Sequence, residues 1–342
     1  QAYPMKVLLV AKPWKGGLAQ YMFDALQDLF PGQAQWITTY PDNLADYLAY
    51  RTGKRKWLRE RVARINASDY DCALFINHIS AFKALRTDRK HILWLTDAPK
   101  LSKNDCAPFE RIYLSDIGYK VDLLQVIEPS RYRGELAFAC HPKIHYPAPT
   151  DQNQAGCCFI GNRDSRRDVW LKGLMAAHVQ PIVYGNYFLR DTLFWQHPTL
   201  FRPALSNARM SEIYAHYRVA LNLHAQVVRR GTNMRSFECA AYGIPQVADY
   251  RDGLTQHFTA GTEILISSTP TEMAQQIREL LAQPDLAAHM AQCARKRALT
   301  EHTYYHRLLM LLSDWLPSAT SNACRQRIPS LITQPDTPHE TA

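Results

Sequence analysis

The feature that most constrains this chain is a series of short, unbroken apolar runs separated by segments long enough to form helices. KVLLVA at 6–11, CALFIN at 72–77 and ILWL at 92–95 begin it. A strand with one face in water alternates apolar and polar residues, whereas an unbroken run marks a strand covered on both faces, as in parallel sheets flanked by helices. Similar runs at 111–114 and 135–139 extend this first series. A second series follows at 157–160, 181–184, 219–223, 245–248 and 264–266. Helical periodicity at 18–29, 169–177, 210–216, 234–242 and 270–281 fills the gaps, and 286–316 reads as one or two terminal helices. Strand and helix in alternation predict the α/β class with doubly wound parallel sheets.

A chain of 342 residues is longer than a typical domain of roughly 100–200 residues. The polar, proline-bearing stretch 145–155 (HYPAPTDQNQA) breaks the apolar pattern and reads as a linker, giving domains at 1–150 and 151–317. Past Pro317 the composition turns to Ser, Thr, Pro and Gln, which predicts a mobile tail over 318–342.

With 46% apolar and 21% charged residues the chain is too apolar for a disordered one. No run reaches the ~20 apolar residues of a membrane span and no secretory signal opens the chain, so the expected address is cytoplasmic, with a peripheral place at the inner membrane face as its variant. Eight cysteines without a C-x-x-C or paired metal spacing read as reduced, buried thiols, and no metal site is expected. Cys157 and Cys158, adjacent in a strand, should face opposite sides of their sheet. A formal charge of +9 favours anionic ligands without choosing among nucleotide diphosphates, acidic glycans or lipids, and nucleic acid. The densest basic cluster is Arg51, Lys54, Arg55, Lys56, Arg59, Arg61 and Arg64. It reads as a solvated helix face or as a patch for a membrane surface or acidic acceptor.

Two stretches carry chemistry. Gly161-Asn162-Arg163 follows a strand directly, where open α/β sheets bind ligands, and lets backbone amides and a guanidinium approach diphosphate oxygens. Asn222-Leu223-His224 ends another strand and leads through Arg229, Arg230 and Gly231 to a helix starting near Thr232 or Asn233. That helix aims its N–H groups and positive dipole end at the same region. Arg235 and Glu238, three apart, share one helix face, so a cation for diphosphate and a carboxylate for a ribose diol stand side by side. The alternative is a plain ion pair between them. In the first half, Asp97 and His78 each follow a strand and are candidates for the base that deprotonates an acceptor hydroxyl, or helix caps. Lys15-Gly16-Gly17 is a candidate acceptor or phosphate loop.

The succession Asn233 to Gly243 (NMRSFECAAYG), Pro245 to Asp249 (PQVAD), Gly253-Leu254 and Glu301-His302-Thr303-Tyr304, with Phe159-Ile160-Gly161-Asn162 ahead of it, resembles the CgeB-type glycosyltransferases, whose second half is a glycosyltransferase family 1 type domain. The resemblance covers about 157–312 and thins before that. It implies a GT-B fold, two Rossmann-like domains facing a cleft, and transfer of a sugar from a nucleoside diphosphate donor without an obligatory metal. It places Gly161 and Asn162 in the donor cleft, Arg235 on the diphosphate and Glu238 at the ribose, with the first domain on the acceptor side. Arg163, Arg230 and Asn233 join the donor set. Broader retaining families often carry a second Glu eight positions before the ribose carboxylate; here Arg230 stands there, so the anomeric outcome does not carry over. A nucleotide-sugar epimerase on the same fold and a non-catalytic binder of anionic polymer are the alternative readings.

Overall fold

The computed structural model describes residues 5–13, 17–41, 43–53, 56–99, 101–150, 153–187 and 192–333. The chain divides into two compact units, one formed by the residues up to Ala137 together with Tyr304–Leu331, the other essentially by Phe138–Thr303.

In the first unit, β1 (Val7–Ala11), β2 (Ala34–Thr38), β3 (Cys72–Ile76), β4 (His91–Leu95), β5 (Arg111–Leu114) and β6 (Tyr132–Glu135) form one parallel sheet in the order β2-β1-β3-β4-β5-β6. The helices between them are α1 (Leu18–Leu29), α2 (Leu44–Arg51), α3 (Lys56–Ala67), α4 (Lys103–Cys106) and α5 (Lys120–Leu124). The unbroken apolar runs occupy β1, β3, β4 and β5, all central and almost wholly buried. The two edge strands differ from the expectation. β2 is absent from it, because an edge strand half open to water needs no continuous apolar run. The strand expected at 135–139 lies earlier, in the polar sequence YRGE. Leu136, Ala137 and Ala139 are buried beyond it as the chain leaves the sheet.

The second unit repeats the plan. β7 (Ala155–Ile160), β8 (Ile182–Tyr184), β9 (Phe201–Arg202), β10 (Tyr217–Asn222), β11 (Gln246–Asp249) and β12 (Leu265–Ser267) run parallel in the order β12-β11-β10-β7-β8-β9. Around them lie α6 (Ser165–Ala176), α7 (Thr192–Gln196), α8 (Met210–Ala215), α9 (Met234–Tyr242), α10 (Asp252–His257), α11 (Pro270–Ala282) and α12 (Pro284–Glu301). Cys157 packs into the core on one face of β7 and Cys158 into the core on the other, as strand geometry requires.

Three boundaries need correction. The units part after Ala137, not at 150, and the expected linker is not a free tether: His145 is buried in the second unit, and Ser211 Oγ donates to the Tyr146 carbonyl at 2.5 Å. The terminal helical region splits, because α13 (Tyr304–Leu312) returns to the first unit. There Tyr305 donates to Asp28 at 2.6 Å and Arg307 Nε donates to the Ala137 carbonyl at 2.8 Å. The expected mobile tail is helix α14 (Ser318–Ile332) over most of its described length. Cys324 and Ile328, four apart and both buried, supply the apolar stripe that the polar composition hides, and Arg327 donates to the Leu29 carbonyl at 3.3 Å.

His91 sits at the start of β4 with no exposure, its Nδ1 donating to the Pro108 carbonyl at 3.1 Å and its Nε2 accepting from Tyr70 at 2.9 Å. Burial pushes its pKa from 6.5 down to about 4, against the opposing effect of the bond to Pro108. Between those values the unfolded chain binds a proton that the folded chain refuses, so stability falls as pH drops. The slope from this residue is up to about 1.4 kcal/mol per pH unit. Urea midpoints compared near neutral pH and near pH 5 should show a smaller loss in His91→Gln than in the parent; equal losses would remove His91 from the acid response.

Candidate functional site

In the second sheet the chain leaves β7 toward β8 and β9, then returns to β10 on the other side of β7. The loops after β7 and β10 therefore diverge, and the crevice between the carboxyl ends of those strands is the ligand position of doubly wound sheets. Gly161 opens the first loop, its N–H donating to the Tyr184 carbonyl at 2.9 Å. A Cβ on Gly161 would come within 2.6 Å of the Phe159 ring, and one on Gly185 would collide with the Gly161 carbonyl, so the close approach of these turns requires both glycines. Asn186 Oδ1 accepts the Arg163 N–H at 2.7 Å. Arg167 ties the two loops across the crossover, donating from Nε to the Leu223 carbonyl at 2.8 Å and from Nη1 to the Asn162 carbonyl at 2.9 Å.

Helix α9 starts beside this crossover because Asn233 caps it. Its Oδ1 accepts the Ser236 N–H at 3.1 Å, while its Nδ2 donates to Asn222 Oδ1 at 2.7 Å. Asn222 in turn donates to Ser236 Oγ at 2.9 Å, and Gln246 Nε2 to the Ser236 carbonyl at 2.8 Å. An amide network thus ties the helix's first turn to the end of β10 and the start of β11. The far end closes with Gly243 at φ 71°, the left-handed cap that glycine adopts without strain. Nine helical residues leave the amide dipoles of the first turn at the crevice.

Asp249, at the end of β11 with no exposure, gathers four donors. Its Oδ1 accepts from the His224 backbone N–H and from His224 Nδ1, both at 2.7 Å. Its Oδ2 faces Arg166 Nη2 and Arg251 Nη1, each at 3.0 Å. Burial alone would raise this carboxyl; the bonds from His224 and the charge of Arg251 outweigh it and hold it at about 2. His224 is neutral, its pKa lowered by burial against the pull of Asp249. With Nδ1–H given to Asp249, its buried Nε2 is a lone-pair acceptor.

Arg235 and Glu238 meet each other. Nη1 lies 2.6 Å from Oε2, and the side chains retain 18% and 4% exposure. Glu238 Oε1 faces His145 Nε2 at 3.6 Å, and His145 Nδ1 accepts the His141 N–H at 2.8 Å, so the proton of this neutral ring is on Nε2, toward the carboxylate. Burial, reinforced by the charge of Arg235, pushes His145 down to about 3. Burial also raises Glu238, opposed by Arg235. The other donor-set cations are exposed and face carboxylates, the buried Asp168 and the partly exposed Asp252. Arg163 lies 3.2 Å from Asp168, and Arg230 lies 2.5 Å from Asp252.

The first unit has its own crossover, between β1 and β3. There Asn77 takes φ 61°, rare for a residue with a side chain, and its amide binds the end of β4. Oδ1 accepts the Thr96 N–H at 2.7 Å and Nδ2 donates to Asp97 Oδ2 at 2.9 Å. Asp97 is accessible, with its pKa raised by partial desolvation against the pull of Lys12. His78 does not join it. It lies edge-on to Phe82 and Phe109, 3.7 Å from Asp105, with its pKa lowered by burial. Gly17 precedes α1 as its cap residue; Lys15 and Gly16 lie outside the described residues.

The structure adds Asp249 and Arg251 to the residues that order these loops, and gives that task also to Arg166 and Arg167, which follow the Gly161 loop in sequence, and to His224. Their signal was faint: His224 and Asp249 each fall at the end of a predicted strand, but the charges they balance come from distant positions. Among the described residues no group of three or more His, Cys, Asp or Glu side chains is gathered to hold a metal ion.

Residues 166–313 match the family model described as glycosyl transferase-like. No curated protein matches the sequence. Among solved structures, HepE of Anabaena in complex with UDP and glucose is similar at TM-score 0.66 and 14% identity, over 91% of this chain and 100% of that one. Sucrose-phosphate synthase from Thermosynechococcus elongatus gives 0.63 and 13%, over 96% and 99%. The DNA-modifying enzyme β-glucosyltransferase, solved in the presence and absence of uridine diphosphoglucose, gives 0.59 and 12%, over 95% and 100%. With its two six-stranded parallel sheets, the chain has the GT-B fold of these glycosyltransferase structures.

Proposed function

We propose that this protein is a glycosyltransferase of the CgeB type, moving a sugar from a nucleoside diphosphate donor held by the second unit to an acceptor engaged by the first. The observation that carries the reading is the crossover in the second sheet, with the tight glycine turn after β7 on one side and, after β10, the loop that leads to the capped start of α9. The leaving diphosphate is where negative charge develops, and preorganised donors there are the main requirement of the chemistry.

Arg163 and Arg230 are the exposed cations of the set, placed to turn toward a diphosphate. Arg235 moves from Glu238 to the diphosphate, which frees Oε2 for the ribose diol. Asp97, accessible and less acidic than an ordinary aspartate, accepts the acceptor's proton if the transfer inverts. The UDP and UDP-glucose bound to HepE make uridine diphosphate sugars the first donors to test.

Calorimetry with UDP and the other nucleoside diphosphates tests this directly. At least one should bind, and Gly185→Ala should weaken it roughly tenfold or more by displacing the Gly161 carbonyl; the absence of binding by any nucleotide would favour a non-catalytic role. Glu238→Gln should weaken binding of the ribonucleotide roughly tenfold but leave the 2′-deoxy form nearly unchanged, the result expected when a charged hydrogen bond to ribose is lost. Equal loss for both forms would make Glu238 only the brace of Arg235. Asp97→Asn should lower turnover by roughly 10²-fold or more with donor affinity intact; unchanged turnover would exclude Asp97 as the base, and donor conversion without acceptor would point to an epimerase.

A further inference from the structure

Helix α2 (Leu44–Arg51) turns its apolar stripe outward. Leu44, Tyr47, Leu48 and Arg51 stand at i, i+3, i+4 and i+7, the spacing of one helix face. Leu44 is 72% and Leu48 55% exposed, and no residue of the helix is buried. By contrast α3 (Lys56–Ala67) buries Trp57, Leu58, Val62 and Ile65 in the usual way. Eight residues with no buried face are marginal as a helix, and what holds α2 is local. Asn43 Oδ1 accepts the Asp46 N–H at 2.9 Å, and the Tyr40 ring meets those of Tyr47 and Tyr50. Tyr50 lies edge-on to Trp57, so the end of α2 adjoins the start of α3. Along α3, Lys56, Arg59 and Arg64 are exposed, as is Arg51 of α2, and the one exposed acid of α3, Glu60, lies 3.8 Å from Lys56.

We propose that this face docks on an anionic lipid bilayer, with Leu44, Tyr47 and Leu48 in the headgroup boundary and Arg51, Lys56, Arg59 and Arg64 on the lipid phosphates. Apolar side chains beside clustered cations are what an interfacial helix needs, and neither feature alone would hold it. A second copy of the chain fits less well, since a two-fold contact would set the same cations against each other. Nucleic acid would satisfy the arginines and leave the leucines in water.

The test is co-sedimentation of the full chain with phosphatidylcholine vesicles and with vesicles of phosphatidylcholine and phosphatidylglycerol. Binding should appear with the anionic vesicles only and weaken in salt. Leu44→Gln/Leu48→Gln should lower the partition coefficient roughly tenfold or more, and Arg59→Gln/Arg64→Gln roughly fivefold for each charge removed. All four positions are exposed, so unchanged melting temperatures are expected of both variants. Absence of binding, binding indifferent to the leucines, or sedimentation equilibrium showing a dimer that the leucine variant dissociates would each overturn the proposal.

Discussion

The second unit's site depends on one buried carboxylate. Asp249 has no exposure, yet it stays ionised because His224 and two guanidiniums converge on it from separate parts of the chain. Arg166 comes from the first turn of α6, His224 from the end of β10 and Arg251 from the loop that enters α10. The carboxylate therefore ties together three segments far apart in sequence. Breaking such a buried pair by removing one partner typically costs about 3–5 kcal/mol, much of it from the charge left behind. A site that must hold a shape before its ligand arrives benefits from that kind of rigidity.

Around this anchor the structure separates fixed charges from exposed ones. Arg167 is committed to two backbone carbonyls, Asn162 and Leu223, and holds the crossover open at a set width. Arg163 and Arg230 are exposed, with Asp168 and Asp252 as carboxylate neighbours at 3.2 and 2.5 Å. Arg235 lies between these extremes, partly exposed and paired with Glu238 at 2.6 Å. Its commitment to one carboxylate is the contact that a diphosphate would have to compete with.

Much of this was legible in the sequence wherever the physics is local. Unbroken apolar runs mark the central strands, and Asn233 with Gly243 bounds α9 through the chemistry of its two ends. Gly161 after β7 marks the loop. What was hidden is non-local or marginal. β2 and β6 are edge strands whose half-exposed residues carry no distinctive pattern. α14 hangs on Cys324 and Ile328 inside a polar segment that reads as a tail. His145 lies in a proline-bearing stretch that resembles a linker, and only the fold shows it facing Glu238. The i, i+3 spacing of Arg235 and Glu238 allowed either two ligand contacts or one ion pair, and spacing cannot tell whether a partner is closer than the ligand. The Asp249 cluster needs the sheet order to bring its members together.

The proposed function stands or falls on a diphosphate binding at the crossover between β7 and β10. Amide hydrogen exchange, followed by mass spectrometry with and without a saturating nucleoside diphosphate, tests it most directly. Added protection should concentrate in residues 161–167 and 231–236, the two segments that would border the bound diphosphate. Protection confined to other segments while nucleotide is demonstrably bound would contradict it.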